Sequence, residues 1–439
     1  MPVKKEKIKV ITLGCSKNTV DSEELMKQLQ LNEWEMADDH EEADIAVINT
    51  CGFIEDAKHE SIEAILQAVK LKKHGRLKKV IVMGCLSERY ARDLQKGIPE
   101  VDTFIGANKV DQVVRTLGGD YKYELLGERL LTTPQHFAYL KISEGCDNPC
   151  SFCAIPLMRG KHVSKPIDRV LTEARRLAAL GVKELIIIGQ DSTYYGIDLY
   201  GRQSLAELLD KLAAVEGVDW LRLMYAFPAK FPIDVLEQFR NNPKICKYID
   251  IGFQHISDNI LRSMRRGINA RATRELIDTI RSKVPGIALR TTLIVGYPDE
   301  GEKEFTELLN FVRETEFDRL GVFTYSREED TAAYPLGNPV PKEVKGERMA
   351  AVMKAQQDIS LRKNQAHIGR TMKVLVDSKE GDVAIGRTEY DAPEIDNEVM
   401  IHDAAGIRIG EYYDVTIVDA EEYDLFAALP VRTASGMKN

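Results

Sequence analysis

The sequence predicts an α/β protein with three structural units, because it contains three kinds of repeated pattern. Short apolar runs alternate with helical patterns near the start, which is typical of an N-terminal parallel α/β sheet. Six further apolar runs with helices between them predict a central, partial (βα) barrel. Short β-rich runs separated by Gly, Asp and Pro predict a small β-barrel at the end. A chain of 439 residues is also too long for a single core.

The composition is that of an ordinary globular protein, with 44% hydrophobic and 29% charged residues. The apolar run at residues 10–13 is too short for the core of a signal peptide, and no run approaches the roughly 20 residues that span a bilayer. We therefore expect a cytoplasmic protein without a membrane partner. Seven cysteines, an odd number in a large chain without a secretion signal, favour metal binding or catalysis over disulfides. Cys246 lies in an apolar context and is expected to be a small buried residue.

In the first unit, predicted at residues 1–125, three apolar runs each end in a cysteine. These cysteines are Cys15, Cys51 and Cys85, here called the amino-terminal trio. Ligands of parallel sheets bind beyond the carboxyl ends of the strands, so the three thiols should meet at one edge. Glycines before Cys15 and Cys85 permit sharp turns, and helix N-termini are expected to hold the thiolates deprotonated. The trio predicts an iron–sulfur cluster with one open iron; the alternative is three unrelated buried cysteines.

Within the first unit, residues 70–79 form a strongly basic run at a predicted helix end. We expect a solvated helix face there, and contact with nucleic-acid phosphates is the alternative interpretation.

The second unit, predicted at residues 132–365, has six strand-like runs separated by helical segments such as 168–180 and 302–314. This pattern predicts a partial, TIM-like (βα) barrel that lacks two of eight strands. Catalytic groups of such barrels gather at the carboxyl ends of the strands. The predicted strands are 137–142, 185–189, 221–226, 248–253, 289–296 and 320–325.

A loop with three cysteines follows the first of these strands. Cys146, Cys150 and Cys153, here called the loop trio, have the spacing Cys-x-x-x-Cys-x-x-Cys. A structural zinc site needs a fourth local ligand, and the nearest, His162, is displaced along the chain. An iron–sulfur cubane with one open iron fits better, because that iron can bind a substrate or cofactor. A zinc knuckle and chance spacing are the alternatives.

Polar residues stand near the predicted ends of the other barrel strands. Gln190 and Asp191 follow the second strand, Gln254 and His255 end the fourth, and Arg290 lies on the fifth. A polar residue at a strand end also serves as a cap or turn, so these are candidates for binding residues. For His255, packing and site roles remain equally open.

The third unit, predicted at residues 366–434, resembles the TRAM module, an OB-like β-barrel of five strands. Four runs are assigned to strands: 372–377, 383–388, 398–401 and 412–418. Residues 366–439 carry 15 Asp and Glu against 7 Lys and Arg, a net charge of −8. Such a field repels phosphates and attracts a basic protein, which leaves direct nucleic-acid binding uncertain. Solubility alone is the other explanation for this acidity.

Six cysteines in their local contexts carry a resemblance that covers essentially the whole chain. The motifs at residues 14–18, 49–53, 84–86 and 145–153 resemble those of the methylthiotransferases, which are radical S-adenosyl-L-methionine (SAM) enzymes. The resemblance implies two 4Fe-4S clusters, one held by each trio, and SAM bound at the loop trio. It also implies that SAM is contacted by rim residues of the barrel: Phe152, Gln190, Asp191, Gln254 and Arg290.

The residues after Cys15, Ser16-Lys17-Asn18, resemble the protein-modifying branch of this family, where the tRNA-modifying branch more usually has Gln-Met-Asn. The resemblance implies methylthiolation of an aspartate β-carbon in the twelfth protein of the small ribosomal subunit, with an electron donor such as flavodoxin. No side-chain base removes a proton from an unactivated C–H bond near neutral pH, so a cofactor radical is required. A tRNA adenosine methylthiotransferase and a non-catalytic, metal-stabilised binding protein are the alternatives.

Overall fold

The computed structural model describes residues 6–123 and 127–430. The predicted unit ends at residues 125 and 434 therefore lie outside the described residues. Within the described part, no helix combines the length and the apolarity that crossing a membrane requires.

The first unit is a five-stranded parallel sheet with strand order β2-β1-β3-β4-β5. Its central strand, β3, is buried at every residue, as the uninterrupted apolar run predicts. A short 3₁₀ helix, His40–Glu42, precedes β3. The elements are β1 (Lys7–Thr12), α1 (Ser16–Leu31), β2 (Glu35–Met36), β3 (Ile45–Thr50), α2 (Glu55–His74), β4 (Lys79–Gly84), α3 (Cys85–Gly97), β5 (Thr103–Phe104) and α4 (Val110–Thr116).

The basic run at residues 70–79 spans the end of α2 and the loop to β4. Several of its cations are paired with carboxylates of the same unit, which supports the interpretation as a solvated helix face over contact with nucleic-acid phosphates. The pairs are Lys72 with Asp102, Lys73 with Glu100, and both Arg76 and Lys78 with Asp44.

The second unit contains the predicted open barrel, a six-stranded parallel sheet of order β13-β12-β11-β10-β9-β6. All six strands agree with the predicted ones to within three residues at each end. A two-stranded hairpin of β7 and β8 brackets the loop trio. The elements are β6 (Phe137–Lys141), β7 (Ser143–Glu144), α5 (Ile155–Arg159), β8 (Val163–Ser164), α6 (Ile167–Ala179), β9 (Glu184–Ile188), α7 (Ile197–Tyr200), α8 (Leu205–Ala213), β10 (Trp220–Ala226), α9 (Val235–Asn241), β11 (Ile245–Gln254), α10 (Asp258–Ser263), α11 (Ala270–Lys283), β12 (Ala288–Val295), α12 (Glu302–Thr315), β13 (Arg319–Thr324) and α13 (Lys342–Gln365).

Side chains alternate between the two faces of this sheet, as the two-residue period of a strand requires. On β6, Ala138 and Leu140 pack in the main core with the surrounding helices. Phe137 and Tyr139 instead belong to a second cluster on the concave face, together with Val20 of α1 and Leu375 of the third unit. The first and third units therefore both cover the concave face of the barrel.

The third unit is a closed barrel of five strands in the order β14-β15-β16-β18-β17. The five-stranded barrel predicted from the sequence is confirmed, and its fifth strand, β18, is one that no assigned run covered. The strands are β14 (Thr371–Glu380), β15 (Val383–Arg387), β16 (Glu398–Ile401), β17 (Tyr412–Ala420) and β18 (Asp424–Ala428).

Some of the acidic side chains of the third unit face the central barrel. Asp396 pairs with Arg290, and Asp391 pairs with Arg319. The buried Glu184 of β9 also forms an ion pair with Arg387 of β15, at 2.8 Å. These ion pairs fix the small barrel against the amino-terminal ends of the central strands.

Candidate active site between two cysteine trios

The amino-terminal trio lies at one edge of the first sheet, as predicted. Strands β1, β3 and β4 are neighbours, and Thr50 at the end of β3 is in register with Gly84 at the end of β4. Cys51 and Cys85 follow these two residues directly, and Cys15 follows β1. The loops pack closely: a Cβ on Gly14 would lie 3.0 Å from the Sγ of Cys51. The topology thus gathers three thiols that are 36 and 34 residues apart in sequence.

The turn between β4 and Cys85 requires a glycine at residue 84. Its φ is +102°, in the region that L side chains avoid, and it forms the cap of α3. A Cβ there would lie 2.5 Å from the side-chain oxygen of Asn49 and 2.6 Å from the carbonyl oxygen of Thr50. The chain can therefore turn from β4 into Cys85 only without a side chain at this residue.

At Cys51 and Cys85, burial opposes the deprotonation that helix N-termini are expected to favour. Burial raises the pKa of Cys51, and it raises the pKa of Cys85 to about 12 despite the nearby Arg159 guanidinium. Cys51 also precedes the first residue of α2, Glu55, by four positions. A metal centre bound here must displace protons from thiols, since only thiolates ligate metals.

The loop trio lies where β6 and the hairpin β7–β8 hold the loop at the carboxyl end of the barrel. Gly145 has a φ of +72°, and a side chain there would overlap the Lys161 backbone. Burial raises the pKa of Cys146 to about 11 and that of Cys153 to about 12. The Arg266 guanidinium donates to the Sγ of Cys150 at 3.1 Å.

The short helix α5 lies between the loop trio and one cysteine of the amino-terminal trio. Cys85, a member of the amino-terminal trio, packs in one buried cluster with Ala154 and Met158. Ala154 is the residue after Cys153 of the loop trio. Cys85 is therefore in packing contact with the segment that directly follows the loop trio.

A buried network of charges surrounds this junction. Arg159, at the end of α5, donates to Asp21 of α1 at 2.7 Å and to Glu144 at 3.1 Å. Lys141 at the end of β6 contacts the same two carboxylates. Burial alone would raise the pKa of Asp21, but Lys141 and Arg159 outweigh it and lower this pKa to about 2. The network fixes the first unit on the barrel mouth.

Two of the predicted SAM-contacting residues, Gln190 and Asp191, lie at the end of β9 beside this network. Gln190 donates from Nε2 to Glu144 at 2.7 Å, whereas its Oε1 is buried without a hydrogen-bond partner among the described residues. Asp191 accepts from Asn148 of the loop at 2.7 Å and caps the 3₁₀ helix Ser192–Tyr194. Burial raises the pKa of Asp191.

The other three candidates differ in position. Phe152 packs with Tyr297 and neighbouring residues at the barrel mouth, and Gln254 ends β11 with a φ of +70°. Arg290 instead lies in the amino-terminal half of β12, paired with Asp250 at 3.0 Å and with Asp396 of the small barrel at 3.3 Å. Contact between these residues and SAM remains a prediction, and the ion pairs of Arg290 give it a structural role in addition.

His255, whose role the sequence left open, and His162, the displaced histidine nearest the loop trio, both have hydrogen-bond partners within the protein. His255 is fully buried; its Nδ1 accepts from the Ser257 backbone at 3.0 Å and its Nε2 contacts Glu300 at 3.2 Å. His162 Nε2 contacts the Ser164 hydroxyl at 2.9 Å. Cys246 is buried, as predicted.

The donor set suits iron–sulfur clusters, because each trio supplies three free cysteine thiols. Among residues 6–123 and 127–430, no three Cys, His, Asp or Glu side chains are close enough to ligate one metal ion together. The thiolates of a cubane each bind a different iron, so a cluster does not need them so close. The sequence did not single out Arg159 or Arg266, since neither lies in a recognisable motif.

Comparisons with known proteins agree with this architecture. Family models match the uncharacterized protein family UPF0004 at residues 7–106, the radical SAM superfamily at residues 140–312 and the TRAM domain at residues 368–429. Fold and site therefore define a radical SAM protein. The chain belongs, more narrowly, to the ribosomal protein uS12 methylthiotransferase family.

Full-length relatives establish that membership. The chain is 54% identical to ribosomal protein uS12 methylthiotransferase RimO of Chloroherpeton thalassium over 98% of this chain and 100% of the relative. It is 55% identical to that of Christiangramia forsetii (97% and 94%) and 50% identical to that of Bacteroides thetaiotaomicron (97% and 99%).

Solved structures resemble the fold at low sequence identity. A radical SAM methyltransferase, TsrM from Kitasatospora setae, matches with a TM-score of 0.56 at 12% identity over 86% of this chain and 79% of that one. The cobalamin-dependent radical SAM enzyme OxsB matches with a TM-score of 0.52 at 12% identity over 80% and 56%. These likenesses concern the fold alone.

Proposed function

We propose that this protein methylthiolates the β-carbon of an aspartyl residue in ribosomal protein uS12. The observation that carries the proposal is the packing of Cys85, of the amino-terminal trio, against the segment that directly follows the loop trio, in a chain whose relatives are methylthiotransferases of uS12. Each trio would hold one 4Fe-4S cluster with an open iron. When bound, these clusters and SAM supply a radical that removes hydrogen, sulfur to replace it, and a methyl group.

The protein's own residues would bind and position these groups. The loop trio would hold the cluster that binds SAM, and the free Oε1 of Gln190 is suited to accept from the amino group of SAM. Asp191, Gln254 and Phe152 would complete the SAM site at the barrel mouth. The first unit, covering the concave face, would exclude water and competing hydrogen donors from a reactive intermediate.

The charge of the third unit supports a basic protein partner. In residues 366–430, eight carboxylate side chains are exposed against three basic ones, even after its ion pairs with the barrel. This surface would attract a basic ribosomal protein and repel RNA phosphates. An electron donor such as flavodoxin would reduce the loop-trio cluster.

The test is to incubate the anaerobically reconstituted protein, SAM and a reductant with a peptide of uS12 or with tRNA. We expect the peptide to gain one methylthio group on its aspartate, located by fragmentation in a mass spectrometer. Modification of adenosine in the tRNA would support the tRNA alternative instead. Bound zinc and no SAM cleavage would support a non-catalytic protein.

A further inference from the structure

The side chain of Lys17 is buried next to the amino-terminal trio, yet it has no carboxylate partner. Lys17 is in the first turn of α1, two residues after Cys15, and only 6% of its surface is exposed. Among residues 6–123 and 127–430 no carboxylate lies within ion-pair distance of its ammonium. Its contact is the ring of Tyr225, whose centroid lies 2.8 Å from Nζ. Buried lysines are normally paired, so this side chain requires an explanation.

The nearest acidic residue along this face of α1 is already occupied. Asp21 lies one helical turn after Lys17, and one of its carboxylate oxygens contacts Lys141 while the other accepts from Arg159. Lys141, Arg159 and Lys17 carry three positive charges, against two negative charges on Asp21 and Glu144. Of these three cations, Lys17 is therefore the one that no carboxylate among the described residues pairs.

The aromatic partner of Lys17 is held in a strained conformation. Tyr225, near the end of β10, has a φ of +62°, which is unusual for a bulky residue. Its backbone N–H donates to Asp250 at 3.2 Å, and its hydroxyl contacts Ser16 at 3.4 Å. Strain of this kind is found where a side chain must be aimed into a functional site. Here it directs a ring against the first turn of α1.

We propose that the Lys17 ammonium binds the side-chain carboxylate of the aspartyl residue that receives the methylthio group. This inference rests on the proposed function and names the group that selects its substrate. The β-carbon is bonded to the carboxylate carbon, so a carboxylate held at Lys17 fixes the reacting carbon beside Cys15. An asparagine in the same peptide would lack the charge, and a site built for a carboxylate rejects it.

The test measures binding of two uS12 peptides, one with the target aspartate and one with asparagine, to the reconstituted holoenzyme by fluorescence anisotropy. We expect the wild-type protein to prefer the aspartate peptide at least tenfold. Lys17→Met should lose this preference by weakening the aspartate peptide alone, and Lys17→Arg should retain part of it. Lys303→Met, at an exposed position of α12, is the matched control and should bind like wild type.

Three results would overturn the proposal. Equal weakening of both peptides by Lys17→Met would indicate a structural role, and unchanged binding would indicate none. A fall in iron content in Lys17→Met would indicate that the lysine serves the cluster. Failure of the wild-type protein to bind or modify either peptide would instead remove the proposed function itself, whereas modification with an indifferent Lys17→Met removes only the role of Lys17.

Discussion

Arg266 donates a hydrogen bond to a thiol of the loop trio, and among residues 6–123 and 127–430 no other charged side chain does so. It is 4% exposed, its guanidinium lies over the ring of Phe227 at 4.2 Å, and it donates to Cys150 at 3.1 Å. Hydrogen bonds to the sulfur ligands of a cluster stabilise its reduced, more negative state and so raise its reduction potential. We therefore expect Arg266 to raise the reduction potential of the cluster through Cys150 and so to make the cluster easier to reduce.

Arg266→Gln should lower the midpoint potential of the loop-trio cluster by roughly 65–130 mV. A charge-assisted hydrogen bond contributes about 1.5–3 kcal/mol, and a tenfold change in a one-electron equilibrium corresponds to about 59 mV. A redox titration followed by electron paramagnetic resonance measures the potential. Arg262→Gln, at an exposed neighbouring position, should leave it unchanged. An unaltered potential in Arg266→Gln would contradict this role.

The sequence predicted which residues form the site where these residues are close together along the chain. Cys146, Cys150 and Cys153 lie within eight residues, and their shared loop follows from local spacing alone. Arg266 approaches Cys150 across 116 residues of sequence, a separation at which no local pattern operates. The same holds for Lys17 and Tyr225, whose contact depends on how two units are joined.

At the scale of elements, the turn from β4 into α3 determines where Cys85 is held. Gly84→Ala should displace this turn, because the new Cβ would meet Asn49 and Thr50 while the backbone keeps its left-handed φ. Strain of this type costs about 1–3 kcal/mol. We expect the variant to lose iron from the amino-terminal trio while the loop trio keeps its own, as measured by iron analysis and electron paramagnetic resonance.

Gly97→Ala is the control for this substitution, since a Cβ on Gly97 meets nothing within 4 Å. It should bind as much iron as the wild-type protein. Full iron content in Gly84→Ala as well would show that the turn does not govern the cluster site.

Most elements were predictable because their apolar periods are clear. The six central strands and the runs before Cys15, Cys51 and Cys85 combine β-branched residues with obvious boundaries. Strand β18 was missed because Asp424–Ala428 is short and rich in alanine, which has little strand preference. The positions of the helix N-termini were predictable, but the burial that raises the pKa of Cys85 was not, since burial is a property of the assembled fold.

For the whole molecule, the buried network around Asp21 joins the first unit to the barrel. Asp21→Asn should destabilise the protein by about 3–5 kcal/mol, because it leaves Lys141 and Arg159 partly uncompensated in a buried site. The free energy of unfolding measured in denaturant should show this loss. Asp39→Asn, at an exposed position, should cost little.

The effect of Asp21 should depend on pH in a defined direction. Its pKa is lowered from 3.8 to about 2 in the folded protein, so its contribution to stability is fully present above pH 4. This contribution is lost as the pH falls through about 2. The difference in unfolding free energy between wild type and Asp21→Asn should therefore shrink between pH 4 and pH 2, and a constant difference would argue against the ion pairs.

The arrangement of the three units was only partly accessible from the sequence. The order of the units and the fold type of each followed from local patterns, and the net negative charge of the third unit can be read directly from the sequence. The sequence could not show that some of these acidic side chains form ion pairs with the central barrel. Asp391 pairs with Arg319, and Asp396 with Arg290, only because the two barrels pack together. Arg290 consequently has partners at the amino-terminal half of its strand that the sequence could not reveal.

The central claim is that each trio holds its own cluster, and iron content per chain tests it most directly. The anaerobically reconstituted wild-type protein and the triple variant Cys15→Ala, Cys51→Ala, Cys85→Ala are compared, with circular dichroism to verify folding. The account predicts that the variant binds half the iron of the wild-type protein, all of it at the loop trio. A folded variant that retained the full iron content would contradict it.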